Sequence, residues 1–392
     1  MKAIPFMKTF LKNIVNIYAS INRGATIEDT LDYVFRNFRS YLPYTRIGLA
    51  LLDFRGSIYS LSVRTNENTD IGIGFVKNLQ DTSLQAIVSS GSPRFIQDYE
   101  AYLAAHPDSD TTRRLLREGI RSSLAYPLML DGTCSGVLFF SSSQPNAFHE
   151  EHLEYVSILS DNFAIAVEKY LFNDDLILAS ITGLARLVEA KDSDTGAHIE
   201  RMQNYSRLIA QSIGGTQRHG AVADYLFTEN IFKFSPLHDI GKVGIADGIL
   251  LKPARLTAEE FNVMKTHTRI GADILRRANT SMARAERHFF DMGIEIAVGH
   301  HERYDGTGYP QGLSGEAIPL SARICIIADV LDALTSKRVY KDAFSISDAL
   351  QYIRDESGKM FDPFLVDAML EREEAILAIY RQYHQPLDLS NI

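Results

Sequence analysis

Cysteine is scarce in this chain: Cys134 and Cys325 are the only two among 392 residues. They are too few for a cysteine-based metal cage, and they fit a reducing, intracellular setting rather than a disulfide framework. Long apolar runs are missing as well. No stretch approaches the ~18 residues needed to span a bilayer. Near the N-terminus, Lys8, Lys12 and Asn13 interrupt the apolar residues, whereas a signal peptide needs an unbroken apolar stretch of ~7–15. The expectation is a cytoplasmic protein with no membrane span. Positive charge is also in deficit, with 40 Lys and Arg against 49 Asp and Glu and a formal net charge of -9. That balance argues against wide contact with DNA. It leaves room for a small anionic ligand in a local basic or metal-rich pocket.

What is present divides unevenly. The length suits two domains at ~100–200 residues each. Histidine is sparse before residue 170 (His106, His149, His152), and the remaining eight lie beyond it. Metal and acid–base chemistry therefore belongs to the second half. The first half alternates helical and strand-like patterns. Residues 6–21 carry apolar positions at a helical period. Thr26 caps a second helix running to about Tyr41. Strand-like stretches follow at 46–53, 57–63, 123–130 and 136–142, with Asp131-Gly132 as a hairpin signal between the last two. Strands with helices at both ends make an α+β domain. From about 150 to 188 apolar residues recur at spacings of three and four, with no proline. This reads as a linker helix whose seam suits a parallel two-stranded pairing, and hence a homodimer.

The features Leu42-Pro43-Tyr44-Thr45-Arg46, Glu118-Gly119-Ile120-Arg121, Pro127-Leu128 ahead of the Asp131-Gly132 turn, and Gly136-Val137-Leu138-Phe139-Phe140 occur in an order that resembles the GAF family of sensor domains. The resemblance implies an N-terminal helix over 1–20, a GAF-like domain over 21–170, and a small ligand of unknown identity between its sheet and loops.

The strongest feature of the second half is His238-Asp239. Adjacent His and Asp on a helix can hold neighbouring metals if the carboxylate bridges them, since a carboxylate has two donor oxygens. Lys242, four residues beyond His238, shares that helical face and can offer a cation to a phosphate. An isolated His-Asp pair is ordinarily just a hydrogen-bonded pair. Here it is accompanied by His198, His267, His300-His301 and Asp329, each in an apolar or glycine-marked context. Imidazole plus carboxylate donors suit borderline divalent ions without cysteine.

The ordered set His198, His238-Asp239, Asp329 resembles the HD superfamily of metal-dependent phosphohydrolases, and the complete run from His300 to Pro310, with Gly306-Thr307-Gly308-Tyr309-Pro310, resembles its HD-GYP branch. The resemblance implies an all-α helical bundle over about 177–392. It implies hydrolysis of cyclic di-GMP to linear pGpG or GMP. It places one metal on His198, His238, Asp239 and Asp329, and a second on Asp239, His267, His300 and His301. Asp194, four residues before His198, would help to hold a third or else cap the following helix. The two or three ions would be Fe(II), with Mn(II) or Ni(II) as alternatives. Lys242, Tyr309, Arg338 and Lys341 fall at substrate-side positions. Asp332 would orient Lys242 or a water, or stand behind a ligand as its hydrogen-bond partner. The Gly306–Pro310 loop would form a lip over the substrate or contact a protein, such as a signalling partner of the GGDEF type. Two alternatives are a non-catalytic cyclic di-GMP receptor and a hydrolase specific for 3′,3′-cyclic GMP-AMP. The stretches 214–220 and 278–289 look inserted, and His219 and His288 within them read as non-ligand surface residues.

Overall fold

The computed structural model of the chain describes residues 3–191, 197–216, 218–219, 222–281, 288–336 and 343–384. It divides into two compact units, Met1–Asp175 and Leu176–Ile392.

The first unit is built on a six-stranded antiparallel sheet: β1 (Arg46–Leu52), β2 (Ser57–Thr65), β3 (Val76–Asn78), β4 (Arg94–Ile96), β5 (Ser122–Leu130) and β6 (Thr133–Ser142), in the spatial order β3-β2-β1-β6-β5-β4. The β5–β6 hairpin closes at the expected dipeptide, with Asp131 and Gly132 at φ 47° and 78°. Two positive φ values give the turn the twist of its flanking strands. Strands β3 and β4 had no alternating pattern to announce them, because each is only three residues long and lies at an edge.

Helices surround the sheet: α1 (Ala3–Asn22), α2 (Ile27–Asn37), α3 (Gln85–Ser90), α4 (Tyr99–Ala105), α5 (Asp110–Arg117) and α6 (His152–Glu189). Thr26 caps α2 in a reciprocal box with Asp29. That helix stops at Asn37 rather than Tyr41. Helices usually end ahead of a residue that precedes proline, and Leu42-Pro43 follows closely. The helix α1 is part of this unit, since Phe10 is fully buried against Phe38, Tyr41 and Tyr155. Its opposite face leaves Met7, Leu11, Val15 and Tyr18 exposed.

The second unit is helical: α7 (His198–Ile213), α8 (Tyr225–Phe234), α9 (Asp247–Leu250), α10 (Ala258–Met264), α11 (His267–Ser281), α12 (Asp291–Gly299), α13 (Leu320–Thr335), α14 (Ile346–Asp355), α15 (Pro363–Leu370) and α16 (Glu373–His384). An almost unbroken apolar run, Ile324 to Ala328, makes α13 a central helix buried on most sides, as a helix apolar all round must be. It packs on Met202, Tyr205 and Ile209 of α7 and on Ile296 and Ala297 of α12 in one core. Ile181 and Ala185, from the last turns of α6, join the same core. Buried Arg323 donates to the Ile318 carbonyl at 2.9 Å and pairs with buried Asp362, so neither charge is left without a partner.

His219 differs from its expected surface position. Its ring is buried against Phe364, with centroids 5.3 Å apart, because the segment after α7 folds back onto α15. His288 is exposed and lies 3.0 Å from the Asp291 carboxylate, in line with the expectation.

Candidate metal centre

The chain breaks its helix at the centre of the site. Ser235–Leu237 form a 3-10 turn after α8, His238 is still helical, and Asp239 leaves the helix at φ -101°, ψ 7° before a second 3-10 turn over Ile240–Gly244. His238 and Lys242 therefore do not share the face of an α-helix, contrary to the sequence expectation. Close packing is the cause. A Cβ at Gly241 would lie 1.9 Å from the His267 carbonyl oxygen, so only glycine lets this turn approach the start of α11. Lys242 instead pairs with Asp239 at i+3, its Nζ 2.7 Å from Oδ2.

That approach places the imidazoles around one carboxylate. Asp239 Oδ1 lies 3.3 Å from His267 Nε2 and 3.8 Å from His300 Nε2, while Oδ2 lies 3.3 Å from His238 Nε2. The donor atoms of Asp239, His267, His300 and His301 lie within 4.8 Å of one another, and so do those of His198, His238 and Asp329. All seven residues expected to hold two metals are thus gathered in two groups. Asp194 lies outside the described residues, as do Arg338 and Lys341.

The rings are oriented from behind. His238 Nδ1 lies 2.9 Å from the Ser235 carbonyl, His267 Nδ1 2.7 Å from that of Met264, and His300 Nδ1 3.0 Å from that of Ile296. A carbonyl can only accept, so each Nδ1 donates and each Nε2 is left as the ring atom that faces the centre. His198 is held differently: its Nδ1 lies 2.6 Å from Asp332 Oδ2. Arg201 grips the same carboxylate through Nε and Nη2 and reaches Ser336 Oγ at 2.8 Å. Asp332 is therefore the support of His198 and is held in turn by Arg201. Of the roles expected for it, the structure favours the hydrogen-bond partner behind a ligand.

The donor set fits divalent cations. His238 Nε2 and Asp239 Oδ1 are buried without a hydrogen-bond partner. Buried polar atoms are seldom left so, and cations held by the two groups would satisfy them. Burial pushes the Asp239 carboxyl up, but the charges of Lys242 and His238 outweigh it and hold it well below the usual carboxylate range. Burial pulls His267 down to about 4 and His301 well below its ordinary value, so both are neutral donors at pH 7. Burial also opposes the charged form of His238, yet Asp239 beside it raises it to about 9, so this nitrogen attracts either a proton or a metal.

The His300–Pro310 run folds over this centre. Tyr309 stacks on His301 with centroids 4.7 Å apart and planes 28° apart. Gly308 is required where a Cβ would come within 2.3 Å of the Arg303 nitrogen. Buried Glu302 accepts from the Gln311 and Leu313 amides at 2.7 and 3.0 Å and so shapes the loop. Sequence reading passed over Glu302 and Arg201. A carboxylate directly after two ligands, and a guanidinium three residues after His198 on one helix face, were the available signals. Ala185, Val188 and Glu189, at the end of α6, line the cleft beside His198, Asp239 and Lys242.

A helical bundle that assembles an ordered His, His-Asp and Asp set defines the HD class of proteins. The HD domain family model matches residues 197–365, and the GAF domain model matches residues 24–168. A cyclic di-GMP phosphodiesterase of Thermotoga maritima is 34% identical over 284 residues, covering 71% of this chain and 73% of the relative. The chain belongs to this HD-GYP phosphodiesterase family, in the form that carries an N-terminal GAF domain. A cyclic di-GMP phosphodiesterase of Vibrio cholerae is 48% identical over 205 residues, covering 51% of this chain and 40% of that protein. A 3′3′-cGAMP-specific phosphodiesterase of the same organism is 35% identical over 230 residues, covering 59% and 40%. The chain thus spans less than half the length of these two Vibrio relatives. Among the described residues, no helix is long and apolar enough to cross a membrane.

Proposed function

We propose that the chain is a metal-dependent phosphodiesterase that hydrolyses cyclic di-GMP to linear pGpG or on to GMP. The observation that carries this reading is the position of Asp239, whose two oxygens face two separate histidine groups. His198, His238, Asp239 and Asp329 would hold one ion, and Asp239, His267, His300 and His301 the other. The donor types suit Fe(II), with Mn(II) or Ni(II) as alternatives. When bound, paired divalent ions supply Lewis acidity and activate water near neutral pH. The chain's own groups do the rest. The carbonyl-held imidazoles keep the donors in place. Lys242 presents a cation to a phosphate oxygen next to Asp239. Arg338 and Lys341 are proposed phosphate contacts and Tyr309 a base-side contact. In the reaction, water adds at phosphorus and the ribose 3′-oxygen leaves.

Incubating metal-loaded protein with cyclic di-GMP and separating the products tests this directly. Formation of pGpG or GMP is the expected result. Tight binding without turnover under Fe(II) and Mn(II) would instead make the chain a receptor. The retained seven-ligand set favours catalysis over that alternative. A second substrate, 3′,3′-cyclic GMP-AMP, is favoured by the similarity to the cGAMP-specific relative. The same chromatography with both substrates separates the two.

The proposal extends to assembly and control. A parallel homodimer is supported by the exposed apolar residues of α1 and by Phe172, Leu176, Leu184 and Leu187, exposed along α6. Control by a small ligand of the GAF domain is supported by the course of α6, one helix from His152 to Glu189 whose last turn lines the cleft. Equal activity of full-length protein and a 177–392 fragment under every ligand tried would remove that control. The scarcity of cysteine supports a cytoplasmic setting.

A further inference from the structure

Beside the GYP loop an aromatic and a cation stand together with no part yet in the reaction. Phe261, on α10, is 46% exposed, so part of its ring is open to a ligand. Its ring meets Tyr309 edge to face at 6.3 Å. Lys265, one turn further on, places its Nζ 5.0 Å from the Phe261 centroid and 5.7 Å from that of Tyr309. Among the described residues, no carboxylate neutralises Lys265. Hydrogen bonds hold the neighbouring elements in place. Thr257 and Glu260 close a capping box at the start of α10, and Lys252 reaches Glu260 at 2.6 Å. Arg269 donates to the Pro310 carbonyl at 3.2 Å, which pins the loop to α11.

We propose that Phe261 and Lys265, with Tyr309, form a guanine-reading subsite for the substrate of the metal centre. This inference rests on the reading of the chain as a cyclic dinucleotide phosphodiesterase. Tyr309 stacks on His301, a proposed ligand, so Phe261 stands one side chain further from the centre, where a ribose separates a base from its phosphate. An exposed aromatic face stacks any base. The lysine adds discrimination. Guanine offers two acceptors, O6 and N7, to an ammonium group, whereas adenine replaces O6 with an amino donor that repels it. Phe261 therefore binds the purine, and Lys265 selects guanine.

The test uses full-length, metal-loaded protein and three substrates: cyclic di-GMP, cyclic di-AMP and bis(p-nitrophenyl) phosphate, which carries no base. Isothermal titration with the two cyclic dinucleotides runs in parallel. In Phe261→Ala the ratio of kcat/KM on cyclic di-GMP to that on the nitrophenyl ester falls about tenfold, mostly through KM. Phe261→Tyr restores the ratio. In Lys265→Met the preference for cyclic di-GMP over cyclic di-AMP falls about tenfold. An unchanged ratio in Phe261→Ala, or an unchanged preference in Lys265→Met, would overturn the subsite while leaving the proposed function intact. If the unaltered protein cleaves the ester yet neither binds nor hydrolyses a cyclic dinucleotide, the proposed function fails and the subsite fails with it.

Discussion

Asp332 Oδ2 lies 2.6 Å from His198 Nδ1, and the same carboxylate is gripped by Arg201. The pair ties a proposed ligand on α7 to the last turn of α13, the central helix of its unit. Burial alone would raise the Asp332 carboxyl, but His198 and Arg201 pull it below its ordinary value. The anion is thus fixed, and it can only accept from both neighbours.

Changing Asp332 to Ala removes that support. Metal affinity is expected to fall roughly 10–100-fold, the usual effect of losing a group behind a ligand. Arg201, only 6% exposed in its side chain, is left without its anion. Breaking a buried ion pair in this way costs about 3–5 kcal/mol. Metal titration and denaturant unfolding measure the two effects, and wild-type affinity in a folded Asp332→Ala protein would contradict the role assigned here.

Glu302 shapes the loop that carries Tyr309. In Glu302→Ala the amides of Gln311 and Leu313 lose their acceptor, at about 1 kcal/mol each in a partly exposed loop. Hydrogen exchange at both amides should accelerate, and KM for the cyclic dinucleotide should rise, while metal content per chain is unchanged. Unaltered protection at both amides would show that the carboxylate does not hold the loop.

Both cysteines should be inert in the folded protein. Burial pushes the Cys325 thiol up to about 12 and raises Cys134 as well. A raised thiol pKa disfavours the thiolate, which is the reactive form. At pH 8, a thiol reagent such as DTNB should find no reactive group in the native chain and two after unfolding. Rapid labelling of native protein would mean that one of these cores opens readily.

Much of this site was legible beforehand because its residue types are rare and ordered. His198, His238, Asp239, His267, His300, His301 and Asp329 converge as the motif order implied. The hairpin at Asp131-Gly132 and the cap at Thr26 were legible for a similar reason, since each is a local signal with one backbone outcome. What escaped notice depends on distant contact. The helix break at Asp239 follows from Gly241 meeting the His267 carbonyl, which no local pattern announces. A place behind a ligand was one role expected for Asp332, but its partners His198 and Arg201 lie more than 130 residues away, and no local pattern names them. His219 looked like an exposed loop residue until Phe364 closed over it.

The central claim is that one carboxylate, Asp239, joins two metal sites into a hydrolytic centre. Metal content per chain, measured on wild type and Asp239→Ala beside turnover of cyclic di-GMP, tests it most directly. The account predicts two or three divalent ions in wild type, loss of the bridged pair in Asp239→Ala, and no turnover by that variant although its N-terminal domain stays folded. An Asp239→Ala protein that kept its ions and its activity would contradict it.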